Sequence, residues 1–141
     1  MSAWDEWFED VWDALVAQVL AASADFTNKV FYGRKHDVDQ FPSVYVCPLE
    51  ATSIPYTMQL EDLWEPTFKI YVVDENADTK AGAIEVWAYA GKIIERLKLD
   101  RTLGGLLNTL QVTTVEDSPD GLGAGLEQHW VALTVTCRRK L

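Results

Sequence analysis

Large apolar side chains recur at helical spacing from Trp4 to Ala22, and this stretch constrains the fold more than any other. Its apolar residues lie three and four positions apart, as on one side of an α-helix. Acidic residues hold the opposite face and crowd the N-terminal half, where the helix dipole stabilises negative charge. A helix with so wide an apolar face needs a second layer to cover it. The face consists of Trp4, Trp7, Phe8, Val11, Trp12, Leu15, Val16, Val19 and Leu20.

Short stretches of alternating polarity follow the helix and predict strands. A short strand closed by a glycine turn is predicted within Ala24–Gly33. A second is predicted within Pro42–Pro48, where the two prolines are expected to bound an edge strand or a strand start. One or two more are predicted within Tyr56–Glu75.

A second helix is predicted from Thr79 to Leu97, with Asp78 or Thr79 as its N-cap. Two further strands are predicted over Leu110–Glu116 and Leu126–Arg139, joined by a glycine-rich hairpin loop. The apolar stripe of this helix is wide enough to lie across a sheet. It consists of Ala83, Ile84, Val86, Trp87, Ala90, Ile93, Ile94 and Leu97.

The element order α-β-β-β-α-β-β indicates an α+β fold, in which a mostly antiparallel sheet carries the N-terminal helix and the second helix. The chain has 141 residues. It therefore fits one domain, 1–141, because domains commonly have about 100 to 200 residues. No composition shift or linker marks a domain boundary.

The chain has a formal net charge of −10, which argues against binding nucleic acid by neutralising its backbone. Its only basic cluster is Arg138-Arg139-Lys140. The acidity is compatible with simple solubility, with a surface that repels DNA, or with a high-salt host. The acidic N-terminus lacks the basic segment of a secretory signal, and no apolar run reaches the roughly 20 residues that cross a bilayer. We therefore expect a soluble intracellular protein without a membrane partner, in which Cys47 and Cys137 are free thiols.

No arrangement in the sequence is typical of a catalytic site. Gly104-Gly105 follow a helix and precede a strand, which reverses the order of a phosphate-binding loop, so they are interpreted as a corner. His36 lies in a charged loop and His129 begins a strand, and neither lies in a nucleophile motif. Paired acids such as Glu116-Asp117 are interpreted as turn residues rather than a cation site. We expect no catalytic residue, no cofactor and no metal.

The chain has six tryptophans, and the strand pattern divides them. Trp12 and Trp87 fit the predicted core, whereas Trp130 lies on the face of the last strand opposite its aliphatic residues. The rest of the monomer could cover that face, or partner subunits could, since tryptophan is favoured at contact centres. The sequence leaves both alternatives open. The residues expected to contact other subunits or partners are Trp4, Trp7, Trp64, Trp130, Thr134, Arg138 and Arg139.

An ordered set of segments carries a resemblance to a known family. The N-terminal amphipathic helix leads to "FPSVYVCP" and "TFKIYVVDENAD", then to "RLKLDRTLGGLLNTLQVTTVED" and "LEQHWVALTVTCRRKL". The set resembles the tail terminator or tail-completion (head–tail joining) proteins of long-tailed bacteriophages and archaeal tailed viruses. The shared features are a D-x-TLGG segment after the second helix, a V-x-V strand, a glycine-rich hairpin and a final alternating strand. The resemblance covers essentially the whole chain and is distinctive from Phe68 onward, whereas Arg34–Glu65 is acidic and loop-rich in a way that the family pattern does not dictate.

The resemblance implies a homo-oligomeric ring, expected to be a hexamer, at the head-proximal end of the viral tail tube. Such a ring ends tube polymerisation and joins the tail to the head connector, without catalysis. The implied partners are the tail tube protein and the connector or neck proteins, and the implied location is the virion, assembled in the host cytoplasm. DNA would pass through the lumen without specific binding, because an acidic lining repels it.

Two other classes remain open from the sequence. One is a different ring of the same particle, such as a neck or head-completion protein. The other is a cellular α+β domain that binds a ligand or carries an unrecognised catalytic site. A ring-forming oligomer favours the viral classes, and a strict monomer that binds a small molecule favours the cellular one.

Overall fold

The computed structural model describes residues 3–33, 40–55, 62–117 and 128–140, with side chains over 6–33, 40–51, 65–117 and 128–138. In chain order the elements are α1 (Ala3–Ala22), a 3-10 helix (Ala24–Phe26), β1 (Val30–Tyr32), β2 (Ser43–Pro55), β3 (Asp62–Glu75), α2 (Thr79–Leu99), β4 (Thr109–Asp117) and β5 (Gln128–Lys140). The strands form one sheet in the order β1-β2-β3-β5-β4. β1 and β2 are parallel and the other neighbours are antiparallel, which confirms the predicted α+β fold.

Both helices pack on the same face of the sheet, because alternate strand residues present aliphatic side chains to that face. The buried strand members of this core are Val44, Val46, Phe68, Ile70, Val72, Leu110, Val131, Leu133, Val135 and Cys137. The helices contribute Trp7, Val11, Leu15, Val16 and Val19 from α1 and Val86, Ala90, Ile93 and Leu97 from α2. The central strands β3 and β5 therefore supply most of the floor on which the helices lie.

Two indole hydrogen bonds fix α1 on the rest of the molecule. The Trp7 Nε1–H donates to the Leu106 carbonyl at 2.9 Å, and the Trp12 Nε1–H donates to the Val46 carbonyl at 3.0 Å. The first bond ties the start of the helix to the segment after α2, and the second ties its middle to β2. Because each of these indole N–H groups has an acceptor, the hydrogen bonds offset the cost of removing the donors from water.

The buried face of α2 is narrower than predicted. It consists of Gly82, Val86, Ala90, Ile93 and Leu97, four or three residues apart. Ala83 is exposed, Ile84 is 60% exposed and Trp87 is 44% exposed, so the prediction that these three side chains belong to the core is wrong. The small residues Gly82 and Ala90 lie on the face toward the sheet together with Val86, Ile93 and Leu97, and Ile84 and Trp87 therefore point to solvent.

Two of the predicted strands differ from the structure. Ala24–Gly33 begins as the 3-10 helix, capped by the Ser23 Oγ, which accepts from the Asp25 N–H, and only Val30–Tyr32 is a strand. β2 continues through Pro48 to Pro55, with a shift in its register against β3 just after Pro48. β1 pairs with β2 only over three residues, so a proline beyond that point removes no hydrogen bond to β1.

The Gly104-Gly105 segment is a corner between α2 and β4, as predicted. Both glycines have positive φ, 68° and 91°, which glycine adopts without strain. The Asp100 carboxylate holds the corner, because its Oδ2 accepts from the Gly104 N–H at 2.8 Å and its Oδ1 accepts from the Thr102 hydroxyl at 3.1 Å. The glycines therefore serve the turn, and the buried Leu103 anchors it.

Replacing this carboxylate tests its role in the corner. We expect Asp100→Ala to lower the free energy of unfolding by about 1 kcal/mol, because two backbone donors lose an acceptor. Asp100→Asn keeps one acceptor oxygen and should lose about half as much. Urea denaturation of the two variants measures the difference. An unchanged midpoint for Asp100→Ala would mean that the glycines and Leu103 hold the corner alone.

Candidate assembly surface

Two of the residues predicted to contact partners are covered by their own chain. Trp7 is 5% exposed and Trp130 is 3% exposed. Trp7 lies in the main core, because α1 lies flat on the sheet rather than overhanging it. Trp130 lies on the other face of the sheet, where Tyr45 and Val73 form a second buried cluster with it. Of the two alternatives that the sequence leaves open for Trp130, the structure shows cover by the rest of its own chain, and Trp7 is likewise covered.

Thr134 and Arg138 lie on the outer face of β5, away from the helices. Thr134 is half-buried and pairs with Lys69 on β3 and Thr114 on β4. Arg138 is exposed, and its guanidinium forms an ion pair with Glu65. Both positions remain candidates for contact with another subunit, but they do not form a single cluster with the tryptophans.

Trp4, Trp64 and Arg139 lie at positions whose side chains are outside the described set. The backbone register places Trp64 of β3 opposite Arg139 of β5. Trp4 lies in the first turn of α1. Their predicted roles in subunit contact stay predictions.

A row of aromatic rings crosses the outer face of the sheet from β1 to β5. Phe31 stacks on Tyr45 with ring centroids 5.6 Å apart, and Tyr45 stacks on Trp130 at 6.2 Å. Tyr71 meets Trp130 edge to face at 6.5 Å. Stacked and edge-to-face pairs both stabilise by more than their buried area. The aromatic row therefore makes the outer face of the sheet rigid from β1 to β5.

The outer half of α2 presents apolar side chains that the sequence pattern assigned to the core. Ile84 and Trp87 lie three residues apart on the solvent side of the helix, and the exposed Ala83 and Ala88 flank them. Exposed aromatic groups of this kind are enriched at protein contacts. The sequence signal that could have identified Ile84 and Trp87 as exposed is the pair Gly82 and Ala90, because their small size marks the face of α2 that touches the sheet.

A group of polar side chains lies where β3 leads into α2. The His129 Nε2 lies 3.0 Å from the Asn76 carbonyl oxygen, and the Asn76 Nδ2–H donates to Glu85 at 3.1 Å. Asp74 is 7% exposed and its Oδ1 accepts from the Glu75 N–H. Burial raises the pKa of Asp74 above its ordinary value of 3.8, against the effect of that hydrogen bond, and the negative charge of Glu85 raises it further.

Neutralising Asp74 is expected to stabilise the protein near neutral pH. A raised carboxyl pKa means that Asp74 keeps its proton to higher pH in the folded state than in the unfolded chain. Its contribution to the free energy of unfolding is therefore complete below about pH 3.8, and it is lost as the pH rises through the raised pKa. Asp74→Asn keeps the acceptor for the Glu75 N–H and carries no charge. Its free energy of unfolding should therefore exceed that of the wild type at pH 7, and the two should converge toward pH 4. Equal values at both pH conditions in chemical denaturation would contradict the prediction.

Within the described ranges, no group of three or more His, Cys, Asp or Glu side chains is placed to hold a metal ion. Cys137 is buried, and burial raises the pKa of its thiol to about 12, so it stays protonated at neutral pH.

No helix of the described part is long and apolar enough to cross a membrane.

Comparison with known proteins finds no match among protein-family models or curated proteins. Among solved structures, the chain is similar to a chain from the virion of a native gene transfer agent particle, with 13% identity and a TM-score of 0.48, covering 89% of this chain and 92% of that chain. A second solved chain matches with 17% identity and a TM-score of 0.46, covering 89% of this chain and 94% of its own. At these values neither match identifies a family.

Proposed function

We propose that this protein is a structural component of a tailed virus particle that forms a ring, with six subunits expected, at the head-proximal end of the tail tube. In this role it ends tube polymerisation and joins the tail to the head connector. The ordered sequence segments that resemble tail terminators supply the identity of the role. The protein works through contact with copies of itself and with neighbouring particle proteins, without catalysis.

The observation that carries the proposal is that the sheet is open at both edges within the described residues. Among the described strands, the nine-residue β4 pairs only with β5. On the opposite side, β1 pairs with Val44–Val46 of β2, so within the described part no strand pairs with the outer edge of β2 from Pro48 to Pro55. Long unpaired edges favour pairing with another chain.

The side chains along the β4 edge favour assembly over a monomeric state. Its exposed residues from Thr109 to Thr114 are threonines and a glutamine, and the charged side chains, which commonly protect an edge strand, are confined to Glu116 and Asp117 at its end. Because the two open edges differ, a contact between them is head to tail and generates a ring when the rotation closes. The net charge of −10 suits a ring through which DNA moves without binding.

Electron microscopy and native mass spectrometry of the purified protein test the proposal. The expected result is a ring whose mass is about six times the 15.9 kDa of the chain, either in solution or on the ends of added tail tubes. A protein that stays monomeric at high concentration and does not bind tube ends would contradict it.

A particle lacking the protein separates the terminator role from that of a neck ring. Loss of a terminator leaves tubes of uncontrolled length, because nothing stops their polymerisation. Loss of a neck protein leaves tails of normal length that are not joined to heads. We expect the first outcome.

A further inference from the structure

A concave site on the helical side of the molecule combines aromatic rings with carboxylates. It has a volume of about 440 Å³ and is lined by Phe8, Glu9, Trp12, Asp13 and Tyr32. The four α1 residues form two i, i+4 pairs, which places them on adjacent ridges of the helix. Tyr32 enters from β1.

The Trp12 ring is steeply inclined to the rings of both Phe8 and Tyr32, by 60° and 68°. Trp12 meets Tyr32 edge to face with centroids 5.4 Å apart, and Phe8 meets Trp12 edge to face at 6.0 Å. Phe8 is also stacked on the buried Phe68 at 5.6 Å, and the Trp12 indole donates to the Val46 carbonyl, so both rings are held in place. The aromatic wall of this site is therefore preformed on the rigid elements α1 and β1.

The electrostatics of the site favour a cation. The Tyr32 hydroxyl donates to Asp13 at 2.9 Å, and Glu9 and Asp13 are exposed beside it. The pKa of Tyr32 is raised by that hydrogen bond, by burial, and by the negative charges of Asp13 and Glu9. Aromatic faces attract cations through their quadrupole, and carboxylates add direct charge pairing.

We propose that this aromatic–acidic pocket binds an arginine or lysine side chain from the Arg138-Arg139-Lys140 run of a second copy of the chain. The inference rests on the proposed ring, for which it names one subunit contact. The run is the longest series of consecutive cations in a chain with a net charge of −10. Charge complementarity therefore selects it as the occupant.

The strand register excludes filling of the pocket by the same chain's Arg138. Tyr32 aligns with Val46, which aligns through Ile70 with Leu133 on β5. Arg138 lies five residues further along β5 and three strands away from β1, on the order of 20 Å in total at about 3.3 Å per residue and 4.8 Å per strand. An arginine side chain does not span that distance, so the contact joins different subunits head to tail.

A peptide of residues 136–141, with Cys137 replaced by serine and a fluorescent label, tests the pocket directly by anisotropy. Glu9→Gln/Asp13→Asn should weaken its binding at least tenfold, because the rings stay and the charges go. Glu6→Gln/Asp10→Asn removes the same charge from the same helix outside the pocket, and should change binding less than twofold. A peptide with glutamine at the three cationic positions should not bind.

Assembly of charge-exchanged proteins tests the contact in the full chain. Glu9→Lys/Asp13→Lys alone and Arg138→Glu/Arg139→Glu alone should each fail to form rings, because like charges meet at every contact. Their mixture should form rings, since each pocket then meets a run of opposite charge. Thermal unfolding of each variant verifies that it is folded, and the conservative glutamine and asparagine pair decides the matter should a reversal variant fail to fold.

The outcomes separate this contact from the ring itself. Wild-type rings together with peptide binding that ignores Glu9→Gln/Asp13→Asn would overturn the contact and leave the ring in place. Wild-type protein that forms no ring, alone or on tube ends, would overturn the proposed function and with it the subunit contact. A tenfold gain in peptide affinity on Arg34→Gln/Lys35→Gln would mean that cations of the same chain fill the pocket, and would overturn the contact as well; these two residues lie outside the described part.

Discussion

Trp130→Ala is expected to lower the free energy of unfolding of the isolated protein by about 3 to 5 kcal/mol. The indole is 3% exposed and stacks on Tyr45, with Tyr71 at its edge, so truncation removes the centre of the outer cluster and leaves a cavity. Chemical denaturation of the monomer measures the loss. A small loss of stability together with a failure to assemble would mean that partner subunits, rather than this chain, cover the Trp130 indole.

Trp130→Phe provides the matched control. The Trp130 Nε1–H is buried and has no hydrogen-bond acceptor among the residues that the structure describes, so phenylalanine removes a costly donor while keeping an aromatic ring. We expect a loss of about 1 kcal/mol or less. Trp7→Phe should cost more, because the Trp7 Nε1–H donates to the Leu106 carbonyl and phenylalanine removes that hydrogen bond.

Gly82→Ala is expected to destabilise the protein by about 1 to 2 kcal/mol, although alanine is the better helix former. A Cβ at Gly82 would overlap with the Nε2 and Cδ2 atoms of His129. The imidazole must therefore move, and it loses its contact with the Asn76 carbonyl. Thermal and urea denaturation both report the change.

Two further variants assign the cause of that loss. Gly91 lies in the same helix, and no described atom outside that helix's own backbone lies within 4 Å of an added Cβ, so Gly91→Ala should stabilise by about 0.5 to 1 kcal/mol. In a His129→Ala background the clash at Gly82 is gone, and Gly82→Ala should then be close to neutral or stabilising. An equal cost in both backgrounds would mean that the imidazole is not the obstacle.

The long periodic elements of the fold were predictable from the sequence. α1, α2 and β5 each extend over 13 or more residues, and each repeats its pattern often enough to identify its type. The Asp78 cap and the Gly104-Gly105 corner also follow from local chemistry. The short β1 and the extension of β2 beyond Pro48 did not, because pairing with a neighbour decides them and the residues themselves do not.

The exposure of individual aromatic residues was the part that sequence could not give. Trp87 and Trp130 both lie on faces whose cover depends on other elements. Trp87 is exposed because α2 lies with Gly82 and Ala90 against the sheet, and Trp130 is buried because Tyr45 and Val73 surround it. The aromatic–acidic pocket was missed for the same reason, since Tyr32 reaches α1 only through the pairing of β1 with β2.

The strand order has a consequence for the way the chain folds during synthesis. β4 leaves the ribosome before β5, yet β5 is the strand that lies between β3 and β4. Until β5 emerges, β4 has no partner and the apolar floor under both helices is incomplete. Pairing of distant segments is slow and leaves apolar surface open to aggregation, so the nascent protein depends on its last described strand to close the sheet.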